Sequence, residues 1–404
     1  MAYIGKTPAS AALTSSDISD GIITSSKIAN GGVETVDIAD ANVTAAKLAS
    51  GTVQNQSAFK NIIINGDMSI AQRATSLTGI TGNGFHTIDR MFLGLSSAGT
   101  WTQSQDTTVP TGQGFAKSLK MDCTTADGSL SAGDNCIIQT RTEGQNLQYL
   151  KKGTSSAESL TVSFWVYATK TGTNICELFD VDNTRQISKA YTISSSNTWE
   201  KKTLTFAGDT SGAFGNDNGL SLTLLFWLAA GSNFSSGTLS TTWTANTNAN
   251  RAVGQVNHAD STSNNFYITG IQMEVGTSAS DFEFLPADIS LLKCQRYYYV
   301  HAEGANKNIG NTAYYTSVYI MTVVFFPTSM RSAPSMINAI VADAYKIFVN
   351  GGEDQFNGYN VGIQNATTSS AGMDCNANIS GTAGHCGRAL TRTSSGLLAF
   401  ESEL

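Results

Sequence analysis

The densest gathering of chemistry-bearing side chains in the chain is GGEDQFNGYN at 351–360. It supplies Glu353, Asp354, Gln355, Phe356, Asn357, Tyr359 and Asn360. Aromatic side chains present an apolar face with a polar edge, which suits stacking on a sugar ring. Amides and carboxylates pair with hydroxyls. These seven residues are the candidate ligand contacts, on a stretch that reads as a loop, where binding residues concentrate. The Gly/Asn-rich stretch 368–387 is a second candidate loop. Tyrosine recurs nearby at Tyr297, Tyr298, Tyr299, Tyr314, Tyr315, Tyr319, Tyr345 and Tyr359. Most of these rings are expected in a core or between chains.

Catalytic chemistry finds little support. A glycosidase needs two carboxylates facing each other across the sugar. The sequence pairs Glu353/Asp354, Asp180/Asp182 and Asp281/Glu283 are of a kind common on polar loops. His86, His258, His301 and His385 sit in no GxSxG-type context. No P-loop or dinucleotide fingerprint appears within a βαβ unit. No catalytic residue, cofactor or metal is therefore assigned. Six cysteines are too sparse for a disulfide scaffold in 404 residues. The thiols are expected to be free and mostly buried. Cys123 and Cys136 flank a loop, ending the arms of an expected hairpin that would let them face each other. Cys375, beside Asp374, and Cys386, beside His385, offer too few well-spaced ligands for zinc.

These residues must be positioned by something, and composition narrows what. Charged residues make up 14% of the chain, and the net charge is -7. A nucleic-acid groove needs a basic stripe, so that class is set aside. The longest strongly apolar stretch, 318–327, is about half a membrane span. The opening MAYIGKTPAS lacks the apolar core of a signal peptide, so assembly in a host cytoplasm is expected.

Residues 15–54 divide into four decapeptides. A large aliphatic residue recurs every five positions: Ile18, Ile23, Ile28, Val33, Ile38, Val43, Leu48 and Val53. Period five matches neither helix nor strand. Gly21, Gly31, Gly32, Asn42 and Gly51 suggest a turn within each repeat. One such segment cannot enclose its aliphatic row. Several parallel copies can, so 15–60 is expected to be a fibrous stalk with these eight residues as its trimer core. Asp17, Lys27, Asp37 and Lys47 alternate in sign along it.

From about residue 61 onward the signals are strands separated by polar Gly/Asn turns. Leu160–Ala168 alternates, with Leu160, Val162, Phe164 and Val166 on one face and Thr161, Ser163, Trp165 and Tyr167 on the other. Asn61–Ile64, Ser118–Cys123, Cys136–Arg141, Ala190–Ile193, Trp199–Phe206, Leu220–Leu228 and Phe266–Val275 read as further strands. Tyr314–Phe326 reads as one buried strand ended by Pro327. The expected fold class is all-β: a decapeptide-repeat stalk, a jelly-roll β-sandwich over 61–287, and a smaller β-sandwich tip over 288–404.

NIIINGDMSIAQR (61–73), FHTIDRMF (85–92), SLTVSFWVYA with TWEKKTLTFAGDTSG (198–212), and FYITGIQMEVGTSASDFEFLP (266–286) with CQRYYY (294–299) resemble bacteriophage tail-fibre and carbohydrate-binding-module-like domains, in the expected order. The repeat resembles tail-fibre repeats as well. The resemblance implies a homotrimeric virion tail fibre. Residues 1–14 would anchor it to a tail protein. Its tip would bind a host-surface polysaccharide or lipopolysaccharide, without membrane insertion. Rival readings are a capsule or lipopolysaccharide depolymerase and a connector fibre without host contact. Carbohydrate-binding modules often carry an acidic calcium ligand on the last strand. Here Gly270 and Gln272 stand in that stretch, which departs from the pattern.

Overall fold

Strand alternation sends one set of side chains inward and leaves the other facing out, and the computed structural model follows this rule through most of its length. It describes Ile28, residues 59–360 and residues 365–404. Of the repeat positions, Ile28 is exposed. The others, and with them the stalk, lie outside the described residues. Residues 59–360 and 365–404 belong to one compact unit, Ala58–Leu404.

The first sandwich comprises β1 (Ser76–Ile80), β2 (Gly84–Phe85), β3 (Phe92–Ser96), β4 (Thr100–Asp106), β5 (Ser118–Thr125), β6 (Asn135–Glu143), β7 (Leu160–Ala168), β8 (Gly172–Asp180), β9 (Arg185–Ile193), β10 (Glu200–Phe206), β11 (Leu220–Ala230), β12 (Thr244–Ala245) and β13 (Asn265–Val275). A six-stranded sheet runs β1-β4-β5-β13-β7-β10 and a seven-stranded sheet runs β12-β9-β8-β11-β6-β3-β2. Val162, Phe164 and Val166 of β7 meet Leu222, Leu224, Phe226 and Leu228 of β11 in the core between them. Phe164 packs edge-on against Phe226, with centroids 4.9 Å apart.

Two local expectations are corrected here. Asn61–Ile64 is a turn segment rather than a strand. Asn61 Oδ1 accepts the N–H groups of Ile63 and Met273, each at 3.0 Å, and its amide donates to Ile271 O. A Cβ on Gly66 would sit 2.0 Å from Ile271 O, so only glycine permits this approach. The Cys123–Cys136 hairpin does not form either. β5 pairs with β4 and β13, and β6 with β3 and β11, so the loop between them crosses from one sheet to the other. Both thiols are free and point into the shared core.

A nine-residue helix, Ala287–Gln295, leads into the second sandwich. Its strands are β14 (Tyr298–Glu303), β15 (Asn308–Thr316), β16 (Tyr319–Phe325), β17 (Ser335–Asn338), β18 (Tyr345–Val349), β19 (Gly352–Phe356), β20 (Ser370–Cys375), β21 (Cys386–Thr391) and β22 (Leu397–Glu401). A three-stranded sheet β14-β22-β17 faces a six-stranded sheet β19-β18-β21-β15-β16-β20. Tyr314–Phe326 is not one strand but parts of two, β15 and β16, joined by a tight turn. Tyr314, Tyr345, Tyr359, Phe356 and Phe400 fill this core.

A seam of charged and aromatic groups joins the two sandwiches. Glu143, at the end of β6, has no exposed surface. A carboxylate taken out of water needs partners. Arg296 binds it with both Nε and Nη2 at 2.7 Å, and Tyr297 Oη donates to it. Arg90, 1% exposed, pairs with Glu403, donates to Arg141 O, and lies 3.5 Å from the Tyr297 ring centroid. Arg73 reaches Glu401 and Glu403 across the same seam, at 2.7 and 3.2 Å.

Burial alone would raise the Glu143 pKa, but the Arg296 and Tyr297 hydrogen bonds outweigh it and hold it below the usual glutamate value. Its stabilising contribution is therefore complete above the ordinary value of about 4.3 and is lost as pH falls through the depressed folded value. Glu143→Gln is expected to lower the unfolding free energy by about 3 kcal/mol near neutral pH, read by denaturant melts. The gap to wild type should close in acid. A gap that stays constant from about pH 7 to about pH 3 would contradict this role.

Candidate functional site

The 351–360 stretch is not a free loop: residues 352–356 form β19, at the edge of the six-stranded sheet. Phe356 and Tyr359 are 0% and 1% exposed. They pack with Tyr345 at centroid distances of 5.3 and 5.6 Å. These two aromatic candidates are core residues and cannot stack on a ligand. Asp354 accepts from Tyr314 Oη at 2.7 Å and from Ser380 N at 2.9 Å. Glu353 pairs with Lys346 and Arg392 at 3.3 and 3.7 Å. Asn357 Oδ1 accepts Asp343 N, and Asn360 donates to Asp374. Glu353 is exposed, and Asp354, Gln355, Asn357 and Asn360 are half-buried, each already in an ion pair or hydrogen bond.

The first sandwich has two outer faces, and they differ. On the seven-stranded sheet, Ile137, Ile175, Leu225 and Trp227 form a second cluster covered by Phe234, Leu239 and Ala252. Glu177, fully buried there, accepts from Trp227 Nε1 at 2.9 Å and from Arg251 Nε at 2.8 Å. Desolvation pushes its pKa up, partly offset by Arg251. The chain between β11 and β13 thus occupies this face.

The outer face of the six-stranded sheet stays open at one end only. Thr161, Ser163, Thr269, Gln272 and Glu274 on it are buried, and Thr161 and Gln272 bond to the chain at Gly276 and Asp281. Antiparallel partners directly opposite share a face. Tyr267 of β13 lies opposite Lys120 of β5 and Tyr167 of β7. Trp165, two residues along β7, lies opposite Thr269 and Lys201. Trp199, at the entry to β10, closes the group. The Tyr167–Tyr267, Tyr167–Trp199 and Trp199–Tyr267 centroids are 5.0, 5.6 and 6.4 Å apart. All four rings are half-buried, as rings standing on a sheet must be if one side is to meet a ligand.

Polar groups edge this platform. Lys120 Nζ is 5.6 Å from the Tyr267 ring and 3.7 Å from Asp122. Ser104 stands opposite Lys120 on β4, and Thr102 opposite Asp122. Burial raises the Tyr267 pKa, only partly offset by Lys120, so the phenol is a neutral donor at physiological pH. Sequence alternation placed Trp165 and Tyr167 on one face. What it lacked was the strand order that brings Trp199 and Tyr267 beside them.

A bulge in β13 keeps the platform and the core in phase. Between Thr269 and Gln272 the register shifts, and Gly270 has φ +63°. The extra residue lets Ile268 and Ile271, three positions apart, both point into the core. Gln272 then donates to Glu274 at 2.9 Å and accepts Glu283 N at 2.8 Å, so its amide uses both donor and acceptor. No group of three or more potential metal-ligating side chains gathers among the described residues.

No family model and no curated protein sequence matches the chain. Its sandwich architecture is similar to parts of several solved structures. One is the enzymatically active domain of bacteriophage CBA120 tailspike protein 4, at 12% identity over 55% of this chain and 22% of that one, with a TM-score of 0.29. Another is TmCBM61 in complex with β-1,4-galactotriose, at 9% identity over 54% of this chain and 99% of that one, with a TM-score of 0.27. A third is the C-terminal family 22 carbohydrate-binding module of Clostridium thermocellum Xyn10B, at 12% identity over 56% of this chain and 98% of that one, with a TM-score of 0.25. The chain spans about a fifth of the tailspike structure's length.

A Cβ at Gly270 would meet Phe115 Cζ at 2.5 Å in a backbone conformation that side chains avoid. Gly270→Ala is therefore expected to lower the unfolding free energy by about 2 kcal/mol in denaturant melts. An unchanged midpoint would mean that the bulge carries no strain.

Proposed function

We propose that the chain is a glycan-binding adhesive protein, a tail fibre of a virion, and that its sugar site is the Trp165, Tyr167, Trp199 and Tyr267 platform. The observation that carries this reading is the platform itself. Four half-buried aromatic rings stand at the open end of one sheet face, edged by lysine, carboxylate and hydroxyl groups. Pyranose rings stack on such faces, and the edging groups match hydroxyls in both donor and acceptor sense. The edge of β19, with Glu353 and Gln355, is a lesser second contact.

In this reading residues 15–60 hold copies together as a homotrimer, and residues 1–14 dock to a tail protein. Weak sites on several copies gain avidity through effective concentration. The partner is a host-surface polysaccharide or lipopolysaccharide.

Binding is favoured over hydrolysis because at least one carboxylate of each candidate pair is engaged elsewhere. Asp180 binds Lys152 at 2.5 Å, inside the fold. Asp182 accepts Gly215 N. Glu283 accepts Asn61 N. Glu353 and Asp354, as neighbours on a strand, point to opposite faces. Trp199→Ala and Tyr267→Ala are each expected to weaken binding to host polysaccharide about 10-fold, while Asp182→Asn leaves it unchanged. Equal binding by all three variants would remove the platform from the reading. Incubation with the polysaccharide should release no new reducing ends. Turnover would convert the reading to a depolymerase.

A further inference from the structure

The second sandwich presents an outer face that its own fold does not require. In β16, Ile320 and Val324 point into the core, while Tyr319, Met321, Val323 and Phe325 point out. Met321, Val323 and Phe325 are 47%, 55% and 73% exposed, and Tyr315 of β15 beside them is 71% exposed. Apart from Asp374, which stands opposite Met321 on β20, their cross-strand neighbours are small. Ala313 stands opposite Met321, Gly372 opposite Val323, and Ser370 opposite Phe325. The large side chains therefore rise clear of the sheet.

A sheet with one face in water normally alternates apolar with polar. This strand is apolar on both faces, which is the pattern of a strand covered on both sides. With Val318, in the turn between β15 and β16 and also exposed, the apolar patch is on the order of a few hundred Å², the size that marks an interaction surface on a single chain. Charge on this sheet gathers at its other end, where Arg388 and Glu353 stand opposite Phe348 and Lys346 lies over the Phe348 ring. Beside β16 the carboxylate of Asp374 is held by Asn360. There an ionic partner finds little to pair with.

The period-five repeat at 15–54 is, on its sequence, a second region expected to need partner copies. One partner answers both needs, another copy of the same chain. We infer that the outer face of the β15-β16-β20 region is a self-association surface, separate from the repeat, through which the tips of neighbouring copies pack. This inference rests on reading the chain as a self-associating fibre and is independent of the sugar platform.

Cys386 supplies the reporter for the test. It lies opposite Ala313, in the same row as Met321, and is exposed, whereas the other five cysteines are buried. The full chain is labelled with a maleimide at concentrations spanning its association range, with mass followed by light scattering. The Val323→Lys/Phe325→Lys double variant is treated in parallel. Both positions are solvent-facing within one chain, and near-ultraviolet circular dichroism checks that the variant folds.

The expected result is an oligomeric wild type whose Cys386 reacts about 10-fold more slowly than in the variant or in diluted wild type. An oligomeric wild type whose Cys386 reacts as fast as the variant's would overturn this interface and leave the stalk reading standing. A wild type that is monomeric throughout would overturn both. Fast labelling in the oligomer that slows only on adding phosphatidylcholine vesicles would assign the face to a membrane and overturn the proposal.

Discussion

A carboxylate with no access to water sits at the end of β6, and the relation between the two halves of the described chain follows from it. Glu143 stays ionised only because Arg296 grips it with two nitrogens and Tyr297 donates a third hydrogen bond. Both partners belong to CQRYYY, the segment that opens the second sandwich. Glu403 answers Arg90 and Arg73 in the reverse direction, from the second sandwich to the first. Removing any one partner leaves a desolvated charge behind. The two sandwiches therefore make one compact unit rather than beads on a linker.

That coupling sets which surfaces are left for function. The first sandwich spends one outer face on its own chain, where Trp227, Glu177 and Arg251 are sealed in. Its other outer face keeps four aromatic rings half-open. The contrast is one of coverage rather than composition, since both faces carry aromatic and charged residues. In the second sandwich most tyrosines turn inward and fill the core. The residues that do turn out, along β15 and β16, are mainly apolar and suit a protein partner better than a sugar.

Much of the fold was legible in the order of residues. The alternation in Leu160–Ala168 and the doubly apolar run Leu220–Leu228 became β7 and β11, and Asn/Gly-rich stretches became turns. Asn61–Ile64 misled because β-branched residues are also used in an irregular segment when a side-chain amide satisfies the backbone. Cys123 and Cys136 misled because a short polar loop can join two sheets as readily as two neighbouring strands. The site was half legible. Trp165 and Tyr167 were placed on one face, whereas Phe356 and Tyr359 gave no sign that a core needed them.

The sequence alone determined the all-β class, the period-five row of aliphatics and the lack of a recognisable catalytic motif. Each of these is carried by residues close together along the chain, where spacing has direct geometric meaning. Tertiary structure decided which face is covered, which aromatics meet and which carboxylates are already engaged. The physical reason is that period two divides a strand into two sides without saying what lies over either. Trp199 reaches Tyr267, and Arg296 reaches Glu143, only through the packing of segments far apart in sequence.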